Sequence, residues 1–125
     1  MSGIRTYLAG VLIVLWAPPA VALPPLAQTF AICSGQLSAE VTHAWVIGAD
    51  STPLEAQRAQ FLAMLDAVVT EDMRPEALNL RIEAKVAHAD LLSTISFSGD
   101  PARAVWASAR ATSQIEACGS MLLGQ

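Results

Sequence analysis

The stretch Pro75–Ile95, PEALNLRIEAKVAHADLLSTI, decides the fold. Read at about 100° per residue, the turn of an α-helix, it carries two apolar stripes. Leu78, Ile82, Val86 and Ala89 follow one line that drifts round to Leu92. Leu80, Ala84, Ala87 and Leu91 follow another on roughly the opposite side and end near Ile95. A basic stripe (Arg81, Lys85, His88) and an acidic one (Glu76, Glu83, Asp90) run between them. A helix that packs on one side needs a single stripe, so this one has a face to spare. The Leu78 line starts at the helix entry and holds its direction longest, which makes it the expected core line. The Leu80, Ala84, Ala87 and Leu91 line is then the expected interface, rimmed by Arg81 and His88, unless Leu23–Leu26 folds over it.

Three more helices flank this one. Phe30, Cys33, Leu37, Val41, Ala44 and Gly48 recur at three- and four-residue steps, which predicts a helix over residues 28–48. In Asp50-Ser-Thr-Pro-Leu-Glu55, Thr52 and Glu55 have the spacing of a capping box, and Pro53 sits at the first helical position. The second helix is expected to run to Thr70, burying Leu54, Phe61, Leu62, Leu65, Val68 and Val69. Gly99 breaks the third helix, Asp100 caps the next and Pro101 opens it. That fourth helix is expected to run to Leu122 along Ala104, Ser108, Ala111, Ile115, Cys118 and Leu122. No strand pattern and no repeated block interrupts this series.

The first residues read as a leader. Arg5 gives a positive start, Tyr7–Trp16 is an uncharged apolar run, and Ala20-Val-Ala22 offers small residues for cleavage after Ala22. A retained anchor is the rival reading, but Pro18, Pro19, Pro24 and Pro25 disfavour a spanning helix. The expected organisation is therefore a cleaved secretory signal peptide (1–22), an extended lead-in (23–27) and one helical domain (28–125), exported by a bacterial Sec-type route to the periplasm or the medium. Membrane contact would end with the leader. The formal net charge of −4 becomes one unit more negative once Arg5 is gone. That balance opposes nonspecific nucleic-acid binding, which needs positive charge to displace counterions.

Two cysteines in an exported chain suggest one disulfide. Four antiparallel helices with short connections form an up-down-up-down bundle, in which the start of helix one lies beside the end of helix four. Cys33 and Cys118 occupy those two places, each on its helix's packing line. The expected fold is thus an all-α, up-down-up-down four-helix bundle closed by Cys33–Cys118.

Chemistry-bearing patterns are sparse. Glu40-Val-Thr-His43 has the Glu-x-x-His form used in helical carboxylate bundles, which requires a second such element; Lys85-Val-Ala-His88 has lysine in place of the glutamate. There is no C-x-x-C-H haem motif, and His43 and His88 both fall off the inferred core lines. Met64 and Met121 read as packing residues. There is no G-x-S-x-G, S-x-x-K or glycine-rich phosphate loop. No catalytic residue, metal ligand or cofactor is assigned.

On helix four, Arg103, Trp106 and Arg110 share one face, a composition seen at binding hot spots, although Trp106 is expected to fold over the bundle end near Trp45 and Phe97. Ala56, Ala59, Ala63 and Ala67 form an outward ridge on helix two. The functional expectation is a small exported, non-enzymatic binding or accessory module that contacts a protein partner or a second copy of itself. Its candidate surface is Leu80, Arg81, Ala84, Ala87, His88, Leu91, Arg103, Trp106 and Arg110. The alternatives are a haem- or metal-binding bundle and a small periplasmic enzyme with a spatially assembled site.

Overall fold

The computed structural model describes Gly3, Gly10, residues 12–16 and residues 22–123. Most of the expected leader lies outside the described residues. Among them the chain forms α1 (Pro25–Ile47), α2 (Thr52–Val68), a single 3-10 turn (Glu71–Met73), α3 (Arg74–Phe97) and α4 (Pro101–Leu123). None of these helices is long and apolar enough to cross a membrane.

Each boundary has a local cause. Helix α1 begins three residues earlier than expected, because Pro24 is extended (φ −54°, ψ 148°) and Pro25 takes the first helical position. The lead-in is therefore short, and its Leu23 is buried in the core. At the other end Gly48 adopts φ +72°, and the amides of Gly48 and Ala49 donate to the carbonyls of Trp45 and Ala44 in a Schellman pattern.

The expected Thr52–Glu55 capping box does not form. Asp50 reaches the Thr52 amide first, at 3.0 Å. That bond, with a weaker one from the Thr52 hydroxyl, holds the Asp50 carboxyl below its ordinary pKa. The Ser51 hydroxyl accepts from the Trp45 indole and donates to Glu55 Oε2, both at 2.8 Å, so it ties the end of α1 to the first turn of α2. Helix α4 starts as the sequence predicts, with Asp100 Oδ1 accepting from the amides of Ala102 and Arg103.

Helix α1 is the centre of the molecule. Ala27, Phe30, Ala31, Cys33, Ser34, Gly35, Leu37, Ala39, Val41 and Ala44 are buried on several sides of it, as fits a helix with Glu40 as its one acidic residue and no lysine or arginine. Its most extensive contact is with α3, then α2; α4 packs chiefly on α3 and touches α1 more lightly. Contacts pair Gly35 with Arg81, Glu40 with His88 and His43 with Ser96, so α1 and α3 run parallel. These are the diagonal helices of an up-down-up-down bundle, here pressed together into a flattened arrangement with α2 on one flank and α4 on the other.

Gly35 explains the close approach. A methyl group at this position would stand 2.3 Å from the Arg81 carbonyl oxygen and 3.0 Å from the Ala84 Cβ. Around the lower half of α1, Phe30 and Phe61 pack with ring centres 6.2 Å apart, within a core that also holds Leu37, Leu65, Val69 and Ala77. Val68, expected inside, is partly exposed; α2 ends there and the extended Val69 turns inward instead. On α4 the innermost residues are Ala107, Ala111 and Cys118, whereas Ser108 lies outside. Cys33 and Cys118 form the disulfide, with Cα atoms 5.7 Å apart across 85 residues of chain. A disulfide of this kind belongs to an oxidising, non-cytoplasmic compartment.

Three outcomes are expected from denaturant melts. Gly35→Ala forces α1 and α3 apart and costs about 1–3 kcal/mol, the range for overpacking. Gly119→Ala, where nothing lies within 4 Å of the new methyl, stabilises by about 0.5–1 kcal/mol through helix propensity. Reducing Cys33–Cys118 lowers stability by about 4–5 kcal/mol, the chain-entropy value for a loop of this size.

Candidate functional site

The structure reverses the expected orientation of α3. Leu80 and Leu91, expected on an interface, pack against the two core clusters. Ala84 sits against Gly35, and His88 is 1% exposed. Of that expected surface Ala87 alone among the α3 apolar residues is exposed. The expected core line points outward instead: Leu78, Ile82 and Val86 are 50%, 51% and 57% exposed, and Ala89 is exposed beside them. The reason is steric. α1 offers Ser34, Gly35 and Ala39, and the face of α3 that can come closest to such a surface carries Ala77 and Ala84. Bulkier Leu78, Ile82 and Val86 would hold the two backbones apart.

The inward turn of α3 brings His88 between two other helices. Its Nε2 lies 2.7 Å from Glu40 Oε1 on α1, and its Nδ1 lies 2.8 Å from Gln114 Oε1 on α4. Both ring nitrogens face acceptor oxygens, a geometry met by an imidazolium donating twice, or by a neutral ring with the Gln114 amide turned over. Chemically the arrangement is a three-helix tie. The ring is enclosed, and its two nitrogens are occupied by a carboxylate and an amide.

Glu40 therefore serves His88 on α3 and not His43, one turn away on its own helix. His43 sits 3.3 Å from Ser96 Oγ. Among the described residues no three His, Cys, Asp or Glu side chains come together as a metal-binding group.

Arg81 lies at the edge of the α1–α3 contact. Its carbonyl meets Gly35, while its side chain lines a groove between α2 and α3. Arg103, Trp106 and Arg110 are exposed on α4, as their spacing predicts. Trp106 does not fold over the bundle end: it is 60% exposed and lies in a shallow depression with Ala109, Arg110, Ser113 and Gln114. Phe97 is likewise exposed, and the Trp45 indole is engaged with Ser51. The alanine ridge of α2 is solvent-facing.

The sequence-predicted surface thus divides. Leu80, Ala84, His88 and Leu91 build the interior; Ala87, Arg103, Trp106 and Arg110 remain outside; Arg81 bridges the two. The residues that sequence reasoning placed on the wrong side, Leu78, Ile82 and Val86, form the exposed apolar stripe. The available signal was the company of the inner stripe: Ala77 and Ala84 are small enough to answer a glycine-containing partner.

Replacing His88 with alanine leaves Glu40 and Gln114 without their partner and opens a cavity. A loss of about 2–4 kcal/mol in a urea melt is expected. No family model matches the chain, and neither a curated protein nor a solved structure was found to match it.

Proposed function

We propose that this protein is a small exported, non-enzymatic binding module that acts by docking the outer face of α3 on a second copy of itself. In this reading residues 1–22 are a signal peptide removed after Ala22, and the mature chain works in the periplasm or outside the cell. The observation that carries the docking surface is the Leu78–Ile82–Val86 stripe, three branched apolar side chains half-exposed in line on a rigid helix. Contiguous exposed apolar surface marks interaction sites more often than isolated exposed leucines do.

Charge selects the partner. Along α3 the seam of Ile82, Val86 and Ala89 has Lys85 on one flank and Glu83 and Asp90 on the other. When two copies of a helix pair in parallel about a twofold axis, unlike flanks meet. Lys85 then faces Asp90 of the second copy, five residues on, the register of flanking ion pairs in parallel coiled coils. Antiparallel pairing would set Lys85 against its own symmetry mate. One helix face buries less than the ~800 Å² per partner of a standard stable interface, so the dimer is concentration-dependent.

Sedimentation equilibrium tests this. The wild-type chain is expected to dimerise reversibly, and Ile82→Asp with Val86→Asp to leave a monomer of unchanged helicity and melting. Lys85→Asp should weaken association, and adding Asp90→Lys should restore it. By contrast Leu80→Asp with Leu91→Asp should unfold the chain, because both residues pack on the core. A wild-type protein that stays monomeric at near-millimolar concentration overturns the reading. Mass measurement of the protein recovered from its native envelope should give a chain starting at Leu23.

A further inference from the structure

We propose that the groove between α2 and α3 is a binding site for an anionic amphiphile, specifically a medium-chain fatty-acid carboxylate held by Arg81. This proposal is independent of association through the outer face of α3, with which it shares only the rim residue Leu78.

The groove exists because α2 leans on α1 and hardly meets α3. It has a volume of about 380 Å³, at the lower end of the ~300–1,000 Å³ typical of small-molecule sites. Leu62 and Leu65 of α2 and Val69 just beyond it face Ala77 and Leu78 of α3, so most of the lining is aliphatic. The polar groups are Asp66, Arg74 and Arg81.

Two of these three are already matched. Arg74 donates from Nη1 to Asp66 at 2.9 Å and from Nε to Glu71 at 3.1 Å. Those bonds, Asp66 first, raise the guanidinium's hold on its proton. They also neutralise the only carboxylate in the lining. Arg81 is different. No side-chain hydrogen bond or ion pair of Arg81 is found among the described residues, and its Nε is shut off from solvent without an acceptor. Arginine stays charged in proteins, and a desolvated N–H of a charged group without a partner is costly. The groove therefore combines an apolar trough with one arginine side chain that has no ion pair among the described residues.

A carboxylate accepts from a guanidinium in the fork geometry that suits both groups, and an alkyl chain attached to it covers Leu62, Leu65 and Val69. A small inorganic anion would satisfy Arg81 alone and leave the trough wet. A neutral alcohol of the same length would fill the trough and leave Arg81 unmatched. Both halves of the groove are used by an anion that carries a chain.

The test is calorimetric titration of the mature protein with decanoate, in parallel with decanol. Saturable binding of decanoate is expected, with decanol roughly tenfold or more weaker, the scale of a charge-assisted hydrogen bond. Arg81→Met, similar in length and uncharged, should bring decanoate down to the level of decanol. Leu62→Asp on the facing wall should abolish binding of both while circular dichroism stays unchanged. If Arg81→Met does not fold, the decanoate–decanol comparison on the wild type decides alone. Equal affinity for decanoate and decanol, no decanoate binding, or co-sedimentation with phosphatidylglycerol vesicles without free decanoate binding would each overturn the proposal.

Discussion

The approach of the α3 backbone to α1 at Gly35 is the constraint on which the rest of the structure depends. The Arg81 carbonyl occupies space that any side chain at position 35 would need. With the two backbones this near, only small residues fit along the seam, and Ser34, Ala39, Ala77 and Ala84 supply them. Ser34 satisfies its own hydroxyl by donating to the Ala31 carbonyl, so burial costs it no hydrogen bond. Pressing the diagonal helices together flattens the bundle, makes α1 a helix surrounded on most sides and leaves α2 and α3 without a common seam.

Two specific ties then fix α4. Gln114 and Cys118 lie one turn apart on the same side of that helix; one reaches His88 of α3 and the other is bonded to Cys33 of α1. Between them and the helix start, α4 offers small Ala107 and Ala111, which pack closely but specify little. A covalent bond at one end and a buried polar group in the middle set the register that these alanines leave open. His88 extends the same logic to α1 through Glu40. A buried polar group that must meet two partners admits fewer helix placements than an apolar one of equal size.

The surfaces available for function are consequences of this packing. Because α3 spends its small-residue face on α1, its branched residues Leu78, Ile82 and Val86 are left in solvent. Because α2 follows α1, the gap beside α3 stays open, and Arg81 borders it without an ion pair among the described residues. Both proposed contacts therefore trace back to one close helix–helix approach, although they use different side chains and call for different partners.

Local punctuation was legible in the sequence. Pro53, Gly99, Asp100 and Pro101 placed the connections, since proline and glycine act on the chain next to them whatever the tertiary context. The four helices, their alternation and the Cys33–Cys118 bond followed from period, loop length and cysteine position. Even locally the reading was incomplete: Asp50 competed with Glu55 for the Thr52 amide and won, because its carboxylate lies two residues away. The choice between the stripes of α3 belonged to the tertiary structure. A single helix shows how much apolar surface lies on each side. It does not show how near its neighbour can come. That distance is set by Gly35, on another helix and 46 positions before Arg81, and only when the two meet does the smaller stripe become the inner one. The partners of His88 and the isolation of Arg81 follow from the same meeting, since neither is a property of residues close together in sequence.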